Sequence, residues 1–502
     1  MLDWRKLQKK SMSKSVIVLG AGFSGLSAAT TLASLGYDVT IIEKHSMPGG
    51  RARIFSENGF TFDMGPSWYW MPDVFEKYFN RFGHTTTDFY KLHRLDPSYK
   101  VYWCQQDFTD VPANLEKLIE LFDKEDPGSG LRLKKFLEEA AYKYEVGINK
   151  LVYKPGRSLK EFADKELVMG LFKLDVFKSL SKHARKVTKH PKLIQILEFP
   201  VLFLGATPQD TPALYSLMNY ADLVLGTWFP EGGMVQIVYA MKKIADEQGV
   251  KFIFNSPVDE IIIDNGKATG VKSADKIYHA EIIVSSADYH HTETKLLPPK
   301  ARSYSDKYWQ TRVMAPSSLL YYIGLDKQLE HLSHHNLFFD QPFDAHAYQI
   351  YKDPSWPEAP LFYASLTTKT DLSGAPAGME NLFLLVPVAA GLSDTPEIRE
   401  KFFLMIMARL EKLTNQSILN HVVFRRDFAC NDFVNEYGSF KGNAYGLANT
   451  LMQTAILKPS LKSKKVANLY FTGQLTVPGP GVPPSLISGQ VVASEIQKEI
   501  PL

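Results

Sequence analysis

Short apolar runs broken by glycine turns recur along the 502-residue chain and predict mixed α/β structure. Residues 16–19 form an apolar run without a polar face, the pattern of a strand covered on both sides. Residues 24–35 carry small and apolar side chains and stop at Gly36, which predicts a helix packed on a sheet. Residues 39–42 predict the next strand. The pattern returns mid-chain. Gly232 and Gly233 open a helix running through Met241, residues 250–254 predict a strand, and residues 257–263 with Gly270 and Val271 predict a hairpin turned at Asn265-Gly266. Residues 282–285 return to the sheet. The longest apolar run, 382–392, is interrupted by Pro387 and falls short of the roughly 18 residues a membrane span needs. It predicts a core strand.

A different pattern occupies residues 167–190. Leu167, Val168, Leu171, Phe172, Leu174, Phe177 and Leu180 recur at three- and four-residue steps. Lys165, Lys173, Lys178, Lys182, Arg185, Lys186 and Lys189 fall mostly on the opposite side. This suits a helix lying on an anionic lipid surface. An ordinary surface helix with its stripe on the core fits equally well.

Composition narrows the class. A hydrophobic share of 45% with 22% charged residues describes a globular chain. The net charge of +3 is small for this length and gives no case for a nucleic-acid partner. The two cysteines, Cys104 and Cys430, suit a reducing compartment. The pairs His290-His291 and His334-His335 lack metal-site spacing and read as surface or channel residues; no metal is expected. Residues 3–10 are charged with no apolar stretch after them, so no signal peptide is expected. Met12 is an alternative start, and 1–13 a dispensable preamble.

Chemistry enters with the glycines. After the first run stand Gly20, Gly22 and Gly25: a tight turn, a close approach for a pyrophosphate, and a close helix–sheet contact. The following helix start offers unsatisfied N–H groups to an anion. Glu43 ends the second strand about 20 residues on, where a carboxylate accepts from ribose hydroxyls and repels a 2′-phosphate. Gly49, Gly50 and Arg51 follow, a second approach to the diphosphate with a forked cation that points toward FAD. Near the far end, Gly473 and the run Pro478-Gly-Pro-Gly-Val482 suggest that both termini clamp one dinucleotide.

These motifs carry a resemblance. The stretches 20–25, Glu43, 49–51, 59–66, 226–233, 285–288, Tyr437-Gly438, 442–446 and 468–489 make the chain resemble the flavin amine oxidase superfamily, and within it the bacterial-type phytoene and carotenoid desaturases. One stretch departs: Gln474-Leu-Thr-Val477 stands where the family has small residues and a histidine. The resemblance implies a Rossmann-like FAD-binding domain of glutathione-reductase or amine-oxidase type, built from residues 14–75, 226–295 and 466–502. It also implies an α+β substrate domain, with a helical membrane-facing insertion at 76–225 and a β segment at 296–465. FAD contacts then fall on Gly20, Gly22, Phe23, Ser24, Gly25, Glu43, Lys44, Gly49, Gly50, Arg51, Gly65, Pro66, Ser67, Val258, Gly473, Gln474, Gly481, Val482 and Pro483.

A flavin site of this kind points to hydride transfer, with the flavin carrying the chemistry. No obligate base is needed for a CH2–CH2 unit flanked by double bonds. Asp63, and Glu231 near the Gly232-Gly233 turn, are the candidate proton acceptors, and both are expected rather to orient backbone. An apolar substrate leaves specificity to a channel, with Trp68, Trp70, Trp228, Phe229 and Tyr445 as candidates for its lining. The expected activity is stepwise desaturation of phytoene at the cytoplasmic face of a membrane, with a quinone or dioxygen as electron acceptor. A hydroxycarotenoid 3,4-desaturase or a carotene isomerase is the alternative on the same fold. A flavin-free prenyl-protein escort is the alternative of another class, against which the intact Gly20, Gly22, Gly25, Glu43 and Arg51 argue. An amine oxidase would need an aromatic cage and a flavin-side lysine that the sequence does not place.

Overall fold

The computed structural model describes residues 13–162, 178–205 and 207–502. Five parallel strands make the first sheet, in the order Leu469–Phe471, Ile282–Ser285, Ser15–Leu19, Asp38–Ile42, Lys251–Ile253. Val16 pairs with both Val39 and Ile282, so the first apolar run is the central strand, buried as its lack of a polar face requires. The helix Phe23–Ser34 follows it, and Gly36 ends that helix at a φ of 98°, which only glycine adopts freely. The last helix, Val482–Glu499, packs along the first. Chain start and chain end are thus neighbours on one sheet.

The mid-chain hairpin is present. Glu260–Asp264 pairs antiparallel with Lys267–Ser273, and Asn265 and Gly266 turn it at φ values of 47° and 76°. The helix after Gly232-Gly233 spans Val235–Glu247, longer than its apolar pattern suggests.

A second, seven-stranded sheet runs Val422–Phe428, Ser317–Leu325, Glu380–Val388, Phe362–Ser365, His335–Phe338, Tyr99–Cys104, Asp107–Val111. All its pairs are antiparallel except His335–Phe338 with Tyr99–Cys104. All nine residues of Ser317–Leu325 are buried, because the sheet is covered on both faces. The faces divide with period two. Leu319, Tyr321 and Ile323 pack with Phe402, Phe403 and Ile406 of the helix Pro396–Thr414, while Leu320 and Tyr322 join the core shared with the first sheet. The 382–392 run forms Glu380–Val388 and splits likewise: Leu382, Leu384 and Val386 face the helix, and Phe383 and Leu385 face the other core.

Residues 167–177 of the basic amphipathic stretch lie outside the described residues. Its end forms the helix Leu180–Val187, with Leu180, Ala184 and Val187 buried. No helix among the described residues is long and apolar enough to cross a membrane.

Candidate functional site

One cavity of about 1110 Å³ runs from the carboxyl ends of the parallel strands to the inner face of the second sheet. Leu19, Ile42, Ser286 and Thr472 mark the strand ends on its wall, where open α/β sheets bind ligands. Every residue predicted to contact the dinucleotide lines it except Gly25. Gly25 serves close packing instead: a Cβ there would stand 2.0 Å from the Gly20 carbonyl oxygen. Gly22 meets the opposite condition, with open space where its Cβ would be. The two bordering helices start at Gly22 and Gly481 without side-chain caps, leaving backbone donors for an anion.

The buried Glu43 accepts from the Ala21 N–H at 2.7 Å and the His45 N–H at 2.9 Å, which fixes the turn and leaves lone pairs for ribose hydroxyls. Beside it, burial lowers the Lys44 ammonium and takes the His45 imidazole down to about 4, so His45 is neutral near pH 7. Arg51 is enclosed. Burial lowers its pKa, opposed by the charge of Asp288. Its Nη2 donates to Ser439, the Tyr437 ring lies 5.1 Å from its guanidinium carbon, and its Nε has no partner. A buried N–H without an acceptor is rare and marks a place where a ligand oxygen fits. Gly65 packs on the Arg51 backbone so closely that a Cβ would stand 2.6 Å from its carbonyl oxygen.

The departing stretch 474–477 has a structural account. The Gln474 amide lies 2.9 Å from Arg51 Nη2 and 3.0 Å from the Tyr445 carbonyl, which sets its oxygen on the guanidinium and its nitrogen on the carbonyl. Thr476 donates to the Gly473 carbonyl at 2.8 Å, and Leu475 and Val477 are buried. The stretch ties the closing segment to Arg51 and to the core.

Neither candidate carboxylate lines the cavity. Asp63 accepts from the N–H groups of Met234 and Val235 at 2.9 and 3.2 Å, at the start of the helix Val235–Glu247, and burial pushes it up to about 7. Glu231 is exposed and paired with His93 and Lys91. Both orient local structure.

Trp68, Trp70 and Tyr445 line the cavity's far end with Met71, Leu320, Tyr363 and Leu385. Trp228 and Phe229 do not reach it. Their strand, Trp228–Pro230, pairs with Leu92–Arg94, which holds Trp228 against Arg94 and Phe229 against His334. His290 and His291 do line the cavity, but His334 and His335 are neither surface nor channel residues: the sheet buries both. Sequence reasoning gave no cofactor-binding role to residues 286–289 or 433–441, which also line the wall. The first follows directly from the carboxyl end of Ile282–Ser285, a position that names it once the strand order is known.

A profile of the family described as flavin containing amine oxidoreductase matches residues 23–497. A carotenoid 3,4-desaturase of Haloarcula japonica is 39% identical over 489 residues, covering 97% of this chain and 99% of that protein. The chain belongs to the carotenoid desaturases of the flavin-containing amine oxidoreductase family. A zeta-carotene-forming phytoene desaturase of Myxococcus xanthus is 30% identical, covering 98% of this chain and 95% of that protein. An oxidoreductase structure from Methanosarcina mazei shares the fold at a TM-score of 0.60 and 17% identity, covering 96% of this chain and all of that one. The family's cofactor is FAD, and the uncapped helix starts, the open Gly22 and the unpartnered Arg51 Nε fit a dinucleotide of that kind. The chain is an FAD-dependent oxidoreductase acting on CH–CH bonds.

Proposed function

We propose that the enzyme introduces a double bond at the 3,4 position of a linear carotenoid. The observation that carries a polyene substrate is the cavity's far end: Trp68, Trp70, Met71, Leu320 and Leu385 line it, with no charged side chain among the described residues there. The 39% identity to the Haloarcula enzyme over nearly the whole chain supports the position. Bound flavin supplies the two-electron oxidation. The protein contributes a dry apolar slot that aligns the chain carbons and excludes water. Glu43, Arg51 and the glycine turns hold the dinucleotide, and residues 14–75, 226–295 and 466–502 form its domain. The enzyme sits peripherally on the cytoplasmic face of the membrane, where its substrate dissolves, and passes electrons to a quinone or dioxygen.

Stepwise desaturation of phytoene is the second reading, supported by the Myxococcus relative. Incubating the FAD-loaded enzyme with liposomes carrying either a coloured linear carotenoid or phytoene separates the two. The first reading expects a product lighter by two hydrogens with the new double bond at C3–C4, and colourless phytoene left unchanged. Chromatography showing phytoene converted to a coloured product contradicts it. Flotation with anionic liposomes checks the peripheral location.

A further inference from the structure

Behind the apolar end of the cavity lies a buried carboxylate that the dinucleotide cradle does not use. Asp222 is wholly buried and does not line the cavity. One of its oxygens accepts from the Tyr99 hydroxyl at 3.0 Å, and the other from the Thr227 hydroxyl at 3.4 Å. Thr227 Oγ1 in turn accepts the indole N–H of Trp70 at 2.9 Å, and Trp70 lines the cavity. Tyr99 packs on Trp68, which also lines it, with ring centroids 5.6 Å apart. Both donors on Asp222 are thus tied to the aromatic wall of the slot.

The stretch 226–233 builds this arrangement. A Cβ at Gly226 would stand 1.0 Å from Arg94 Nη1, so the glycine leaves room for that guanidinium. Arg94 donates to the carbonyls of Leu225 and Ala113, and it reaches Asp222 only through its charge. Asp96 acts on Arg94 in the same way. Thr227 then stands between Asp222 and Trp70. Burial pushes the Asp222 carboxyl up to about 7, opposed by its two hydroxyl partners and by Arg94. Tyr99 stays protonated, because burial raises its pKa well above the usual value. A carboxylate at such depth is costly to keep when its direct partners are neutral hydroxyls. A positive charge forming on the other side of the aromatic wall would offset that cost.

The reaction forms such a charge. When a C–H bond of the substrate breaks, both its electrons leave with the hydrogen as hydride to bound FAD. The carbon keeps a positive charge, shared with the neighbouring double bonds. Indole rings attract cations through their faces. An indole whose N–H donates into a chain ending on a carboxylate is polarised further in that sense. In a dry slot the carboxylate itself also acts across the ring with little screening. We propose that Asp222, acting through Thr227 and Trp70, stabilises the positive charge that hydride loss leaves on the polyene. Trp70 touches the substrate; Asp222 and Thr227 are positioning residues. Asp222 stands off the cavity wall and takes no proton from the substrate. This rests on the desaturase reading above and adds how the wall answers the charge of the transition state.

The test measures binding of two probes to the FAD-loaded full-length enzyme in neutral detergent, by quenching of tryptophan fluorescence. One probe is a quaternary ammonium with two geranyl chains and two methyl groups, a mimic of the charged transition state. The other is its isostere with carbon in place of nitrogen. The ratio of the two dissociation constants reads the preference for charge. Asp222→Asn, which keeps the shape and removes the charge, is expected to lower that preference by about tenfold and to change the isostere's affinity by less than about twofold. The ammonium does not titrate. The wild-type preference is therefore expected to rise about fivefold between about pH 6 and about pH 8.5, as Asp222 loses its proton, and to stay flatter in Asp222→Asn. Asp288, raised to about 6 at the dinucleotide end, titrates in both proteins alike, so the difference between the profiles belongs to Asp222. A preference unchanged in Asp222→Asn overturns the proposal and leaves the desaturase reading standing. If Asp222→Asn does not fold, a wild-type preference flat across that range does the same. Binding of neither probe overturns both.

Discussion

Arg51 is a half-buried cation on the cavity wall, with Ser439, Gln474 and the Tyr437 ring around its guanidinium and its buried Nε–H unanswered. No carboxylate reaches it as an ion pair among the described residues; Asp288 acts on it only at longer range. Keeping such a partly desolvated charge costs stability unless a ligand completes its surroundings. The expected consequence has two parts. Arg51→Met weakens FAD binding by about 10- to 100-fold, the effect of losing charge-assisted hydrogen bonds worth about 1.5–3 kcal/mol. The same change leaves the melting temperature of the cofactor-free protein equal or higher, since an apolar side chain of similar length fills the space without a desolvated charge. A flavin fluorescence titration and a thermal melt without FAD check the two parts. Equal FAD affinity would remove Arg51 from the cofactor site. A large fall in the cofactor-free melting temperature would assign it a structural role.

The element that most needs its neighbour is the last helix, Val482–Glu499. A Cβ at Gly489 would stand 2.4 Å from the Ser24 carbonyl oxygen and 2.7 Å from the Ala28 nitrogen, both backbone atoms of the first helix. Backbone cannot yield as a flexible side chain can. Gly489→Ala therefore forces the two helices apart, with an expected loss of about 1–3 kcal/mol of stability and faster loss of FAD on gel filtration. Urea melts and the flavin absorbance retained after the column measure both; unchanged values for both contradict the account of this contact.

How much was legible in the sequence is also clearest at this scale. The 16–19 strand, the helix ended by Gly36, and the Asn265-Gly266 hairpin followed from apolar runs and glycine positions, because each is decided by neighbours in sequence. The cradle of Gly22, Glu43 and Arg51 was legible for the same reason. The far end of the cavity was not. Trp228 and Phe229 look like channel aromatics until their strand pairs with Leu92–Arg94 and turns them away. Tyr363 and Leu385 gave no signal, because which face of a fully buried strand meets the cavity is set by sheet partners. His335 looked like a surface or channel residue for want of a partner in sequence; the parallel pairing of His335–Phe338 with Tyr99–Cys104 buries it.

Across the whole molecule, separate stretches of chain converge on one cavity. The parallel sheet takes its strands from the start, middle and end of the sequence, and the second sheet supplies the opposite wall through Leu320, Tyr363 and Leu385. The continuity of that cavity is what joins a dinucleotide cradle to an apolar slot, and it underlies the central claim that this chain oxidises a CH–CH bond of a carotenoid with its own FAD. The most direct measurement is an anaerobic single turnover. The FAD-loaded enzyme is mixed with excess linear carotenoid in liposomes, with no quinone and no dioxygen, and the product is quantified by chromatography. The account predicts product equal in amount to bound FAD and then no more until an acceptor is added. Product formed without FAD, or none formed with FAD bound, would contradict it.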